Sequence, residues 1–145
     1  MVAQEELEKI LTYEALIESK TEDLIRLSSL AEKMTAAMEG EAVSGSRNLD
    51  PLGAVIASKD KLFNEIAQIQ RDYEKLKEFL SGIIDSLRKP AYIKILYGIY
   101  FTGKELKDVA DNIGYSYRHT QDLRDIALQE VQKILDEIES SHKIS

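Results

Sequence analysis

The sequence predicts an all-α protein. Three observations carry that expectation. The 145 residues include only 7 Gly and 2 Pro, so little interrupts a helix. Two long stretches repeat apolar residues every three or four positions, the spacing of one helical face. A third stretch near the C-terminus holds short amphipathic segments on either side of a glycine. The expected architecture is a long antiparallel helical hairpin followed by a C-terminal helix-turn-helix unit. Residues 1–88 form the coiled-coil-like arm, with a loop at 39–50, and residues 89–145 form the second domain.

The first long helix is read from Glu5 to Met38, a run free of Pro and Gly. Its stripe is Ile10, Tyr13, Ile17, Leu24, Leu27, Ala31, Met34 and Met38, interrupted by Lys20. At the usual rise it is roughly 50 Å long. Gly40 is a stop signal. The segment EGEAVSGSRNLD from Glu39 to Asp50 has no periodicity and collects Gly, Ser and Asn, so it reads as a solvated connector that includes Arg47. Asp50 and Pro51 then mark a helix start. From Pro51 to Leu87 the seam Leu62, Ile66, Ile69, Tyr73, Leu76, Leu80, Ile83 and Leu87 alternates steps of four and three. One seam cannot cover everything: Leu11, Leu16, Ile25 and Leu30 flank it and need either the C-terminal unit or a second chain. A homodimer is expected.

Arg88-Lys89-Pro90 breaks the second helix. Ala91 to Tyr100 forms the next one, with Tyr92, Ile95, Leu96 and Ile99 on its apolar face. The stretch from Thr102 to Leu128 organises the rest. Such units need a small residue where two helices cross, a glycine in the turn and apolar residues at fixed offsets. Ala110, Gly114, Val109, Ile113, Tyr115 and Leu123 supply them, while Thr120 stands where a larger aliphatic is expected. Thr102 with Glu105 reads as a capping box, and Ser116 as the N-cap of the last helix. The inward stripe of that helix is Thr120, Leu123, Ala127, Val131, Ile134 and Ile138, with Leu128 and Leu135 as a second set.

Composition excludes several classes. There is no cysteine, hence no disulfide framework or thiolate chemistry. The start MVAQEELEK lacks an apolar leader core, and no apolar run reaches the roughly 20 residues of a membrane span, so a cytoplasmic protein is expected. Two histidines without cysteine do not make an ordinary zinc site. The carboxylates fall at helix-surface spacings, and no phosphate loop is present. No enzyme, metal or cofactor is expected. The net charge of −7 argues against a general nucleic-acid coat. Between Pro90 and Leu135, however, the charges balance. Lys94, Lys104, Lys107, Arg118, Arg124 and Lys133 offset Glu105, Asp108, Asp111, Asp122, Asp125 and Glu130.

From Gly114 onward the run GYSYRHTQDLRDIALQEVQKIL resembles the fourth region of bacterial sigma factors. A glycine, a bulky residue and Ser come first, then a polar face, an Ala-Leu pair and a spaced Leu. The whole chain is similar to small regulators encoded by phages of Gram-positive bacteria, the ArpU- and RinA-type late-gene regulators. The segments that carry this are the long helical start, VSGSRNLD, the heptad helix and YIKILYGIYFTGKELKDVADNIGYSYRHTQDL. The resemblance implies a sigma region 4-like unit, sequence-specific binding of double-stranded DNA near promoters, and contact with RNA polymerase. Tyr117 and Thr120 depart from the sigma pattern, which places a basic residue and a buried aliphatic there.

At about 100° per residue, Thr120, Leu123 and Ala127 face inward, and Tyr117, Arg118, Gln121, Asp122 and Asp125 face outward. Arg118 suits guanine, Gln121 adenine and Asp122 the cytosine amine, and Tyr117 suits a phosphate or thymine methyl. Lys104, Lys107 and Arg124 suit the DNA backbone, and His119 flanks the face. The leading expectation is a DNA-binding transcription regulator of a phage or prophage. The alternatives are a protein-interaction module that binds RNA polymerase or another regulator, and a small terminase-like DNA-packaging subunit.

Overall fold

The computed structural model describes residues 1–40 and 50–144, which form helices and turns with no strand among them. Helix α1 is Ala3–Gly40, α2 Asp50–Asp85, α3 Pro90–Leu96, α4 Leu106–Ile113 and α5 Tyr117–Ile144. The all-α class read from the periodicities is observed. Among the described residues no helix is long and apolar enough to cross a membrane. The expected connector begins and ends in helix, with Glu39 and Gly40 closing α1 and Asp50 opening α2. Positions 41–49, Arg47 included, lie outside the described residues.

The chain divides into two compact units, Met1–Tyr13 with Tyr73–Ser145, and Glu14–Asp72. The first is larger than the 89–145 span expected for a C-terminal domain. Its core explains why. Ala3, Leu7 and Ile10 at the start of α1 are buried, as are Tyr73, Leu80, Ile83 and Ile84 at the end of α2. They join Tyr92, Ile95, Leu96, Tyr100, Val109, Ala110, Ala127, Val131 and Leu135. Helix α3 packs on α4 and α5, and α4 packs on α5. Each fully buried Leu or Ile contributes about 1.5–3 kcal/mol. The first turn of α1 is fastened to α5 by Gln132. Its Nε2 donates to the Met1 carbonyl at 2.8 Å, and its Oε1 accepts from the Ala3 N–H at 2.8 Å. Leu11, flagged as needing cover, is half-buried in this unit, close enough to Gly103 that a Cβ there would stand 3.6 Å from its Cδ2.

Two sequence readings change in this unit. The helix after Pro90 does not run regularly to Tyr100. It passes at Tyr97 into a π-helical turn, Tyr97–Phe101, closed by the Thr102 N–H donating to the Tyr97 carbonyl at 3.0 Å. A wider turn shifts the phase of the side chains, so Tyr100 is buried and Ile99 only half-buried. The capping box of Thr102 with Glu105 does not form. The Thr102 hydroxyl instead donates to the Gly98 carbonyl at 2.7 Å, and the N-cap position of α4 is Glu105, whose side chain caps nothing. The reason is local: the π turn leaves the Gly98 carbonyl open, and it also accepts from the Lys104 N–H at 2.9 Å.

In the second unit the seam residues are half-buried and none of the described residues is buried. Lys20, which interrupts the stripe, reaches Glu65 of α2 at 3.2 Å. A shallow groove of about 480 Å³ lies between Ser28, Ala31, Glu32, Thr35, Ala36 and Glu39 of α1 and Ile56 and Lys59 of α2. Later residues of α1 thus meet earlier residues of α2. Leu16, Ile25 and Leu30 are exposed, as are Ile56 and Phe63.

Candidate nucleic-acid interface

Helix α4 ends because Gly114 turns left-handed, at φ 77°, a conformation that costs other residues but not glycine. The N–H groups of Gly114 and Tyr115 both donate to the Ala110 carbonyl, at 3.0 and 3.1 Å. Ser116 then caps α5 as read from the sequence, its Oγ accepting from the His119 N–H at 3.1 Å. Thr120 is fully buried at the crossing of the two helices. A hydroxyl is tolerated there because it donates to the Ser116 carbonyl at 2.8 Å, so no buried polar atom goes unpaired.

This turn sets the first two turns of α5 at the surface. Tyr117 is exposed, and the side chain of Arg118 is 86% exposed, 4.0 Å from an Asp122 carboxylate that is itself 61% exposed. Such an open pair contributes about 0–1 kcal/mol, so the guanidinium exchanges it readily for another acceptor. Gln121 is half-buried, less available than its helical angle alone indicates. Arg124 is also half-buried. It pairs with Asp125 at 3.3 Å, and its charge opposes the upward shift that burial imposes on the Tyr100 phenol. His119 is exposed and its ring meets Tyr115 edge-on at 5.0 Å. Tyr115, placed among the apolar fixed points by its position after the glycine, is exposed: the left-handed turn swings it outward.

Lys104, in the turn before α4, and Lys107, on α4, are both exposed. The structure adds Lys94, which the charge count included but the site reading did not. Lys94 and Lys104 line a groove of about 390 Å³ with Tyr97, Gly98, Thr102, Val109, Asn112 and Ile113. Among the described residues, Lys94, Lys104 and Lys107 make no ion pair within the chain. The sequence signal for Lys94 was a lone charge inside the apolar run YIKILYGIY, on the side of α3 away from Tyr92 and Ile95. Tyr97 fixes the groove wall. Its hydroxyl donates to Asp85 at 2.6 Å and accepts from the Ser81 hydroxyl at 3.0 Å. Burial first, then the Asp85 hydrogen bond, hold that phenol above its ordinary pKa.

The arrangement presents one fork-shaped cation, an exposed phenol and a carboxylate on a single helix face, with three free ammonium groups on the two preceding segments. Forked cations recognise base edges, and ammonium groups hold phosphates. No protein-family model, no curated protein and no solved structure matches this chain.

Proposed function

We propose that this protein is a sequence-specific DNA-binding transcription regulator of a phage or prophage, built as a helical hairpin arm joined to a sigma region 4-like helix-turn-helix. In this reading α5 enters the major groove by its N-terminal turns, with RNA polymerase as a further partner. The observation that carries the reading is the capped start of α5: the glycine turn leaves Tyr117, Arg118 and Asp122 free while Thr120, Ala127 and Val131 bury the opposite side. Arg118 is the base reader, Gln121 and Asp122 adjust it, and Lys94, Lys104 and Lys107 hold backbone phosphates. His119 and Arg124 stand at the edge of the face.

Selection from randomised duplexes at low salt tests this. A motif should be enriched, and Arg118→Ala should relax one position of it, at a cost of about 1–3 kcal/mol. Lys104→Ala and Lys94→Ala should weaken all sequences alike and flatten the salt dependence. A folded protein with no sequence preference overturns the reading.

A second reading, a protein-interaction module, is favoured by the exposed apolar residues of the second unit and by the balanced charge of the C-terminal one. Capture of RNA polymerase without DNA separates it from the first.

A further inference from the structure

The unit Glu14–Asp72 has helices but no buried side chain among its described residues. It has instead a face with two complementary features. Ile25 and Phe63 are each 60% exposed and Ile56 is 45% exposed. Large apolar side chains left this open on neighbouring turns mark an interaction surface. Beside them is the groove floored by Ser28, Ala31, Thr35 and Ala36, whose small side chains leave its volume unfilled. Helical spacing sets these on one side. Ile25 precedes Ser28 by one turn, and Phe63 follows Ile56 by two turns, about 10 Å along the axis.

A projecting ring and an unfilled groove on the same face are what an isologous interface requires, because one surface must fit itself. We propose that this face seats a second copy of the same chain about a two-fold axis. Phe63 of each copy fills the small-residue groove of the other, and Ile25 of each lies on the partner's Ile56. The four helices then enclose the core that two helices leave open. The rim agrees with the pairing. Glu32 and Lys59 both border the groove, neither has an ion pair within the chain among the described residues, and the two-fold brings Lys59 of one copy toward the partner's Glu32. The inference stands on the second unit alone and does not depend on DNA reading.

Sedimentation equilibrium of the full chain tests it, with Phe63→Glu alongside. The wild type should sediment at twice its 16.4 kDa. Phe63→Glu should keep its helical circular dichroism, because the ring is exposed, and should raise the dissociation constant roughly 30-fold or more. The lack of native cysteine allows a second measurement. Ala36→Cys protein mixed with Phe63→Cys protein should yield a disulfide-linked heterodimer under mild oxidation. A wild type that stays monomeric at tens of micromolar, about the range of a weak specific contact, overturns the proposal. A dimer untouched by Phe63→Glu, or one that fails to cross-link, overturns it equally, by placing the contact elsewhere.

Discussion

The two units share the same secondary structure and differ in what it encloses. In the unit formed by Met1–Tyr13 and Tyr73–Ser145, Leu7, Ile10, Leu80, Ile84, Ile95, Leu96, Val131 and Leu135 are fully buried. In Glu14–Asp72 the same residue types, at the same spacings, reach only half burial. Amphipathic periodicity specifies a helix with an apolar side. Burial depends on how many such sides converge. Segments of five helices meet in the first unit and of two in the second. Helices draw most of their stability from tertiary packing, so the first unit carries the folding free energy and the second awaits a partner surface.

Substitutions can break or sharpen that contrast. The largest effect is expected from paired truncations. Leu80→Ala should cost about 2–5 kcal/mol in urea unfolding, as a cavity in a closed core does, whereas Leu24→Ala, on a half-buried seam, should cost clearly less. Equal losses would erase the distinction. Next comes Gly98→Ala. A Cβ there would stand 2.8 Å from Val109 Cγ2, and a β-branched neighbour yields little. About 1–3 kcal/mol should be lost, and Val109→Ala in the same chain should restore part of it. Ser116→Ala removes the cap of α5 and should cost about 1 kcal/mol, with faster amide exchange confined to the start of that helix. Thr120→Val should cost under about 1 kcal/mol, because the Ser116 carbonyl that loses the hydroxyl keeps the Thr120 N–H at 3.0 Å.

The last effect is confined to alkaline solution. Burial, the main cause, raises the Tyr100 pKa above its ordinary value, with Arg124 opposing. The unfolded phenol therefore ionises first, so the stability Tyr100 contributes is full below about pH 10. It is lost as pH rises toward the folded pKa. Tyr100→Phe should flatten the decline in stability above pH 10, measured by urea unfolding at stepped pH.

Much of the fold was legible because long helices write their period plainly. The seams of α1 and α2, the break at Arg88-Lys89-Pro90, the Gly114 turn and the Ser116 cap all follow from residue types at fixed offsets. What was illegible depended on tertiary position. Nothing in the spacing of Ala3, Leu7 and Ile10 says that this end of α1 packs among α3 to α5 rather than continuing a hairpin. The Thr102 capping box had the right letters, but the carbonyl freed at Gly98 lay nearer. In the candidate interface, helical angle placed Tyr117, Arg118 and Asp122 outward as observed. It could not show that Gln121 and Arg124 are half-covered, because cover comes from neighbouring elements. Lys94 was missed for the related reason that its groove is made by α4, remote in sequence from α3.

The π-helical turn at Tyr97–Phe101 has a consequence for how this chain tolerates change in length. A π turn holds one residue more than the α turn it replaces, so it acts as a slack loop in an otherwise taut screw. Removing one residue there would let the helix close regularly and would rotate everything after it by about 100°. Tyr100 would leave the core, and Gly98 would no longer face Val109. The extra residue is thus a phase correction. It lets one short helix satisfy the core near Tyr92 and Ile95 and, a turn later, deliver its glycine to α4. A single-residue deletion elsewhere in α3 could be absorbed by this slack, with the helical register passed on to α4 unchanged.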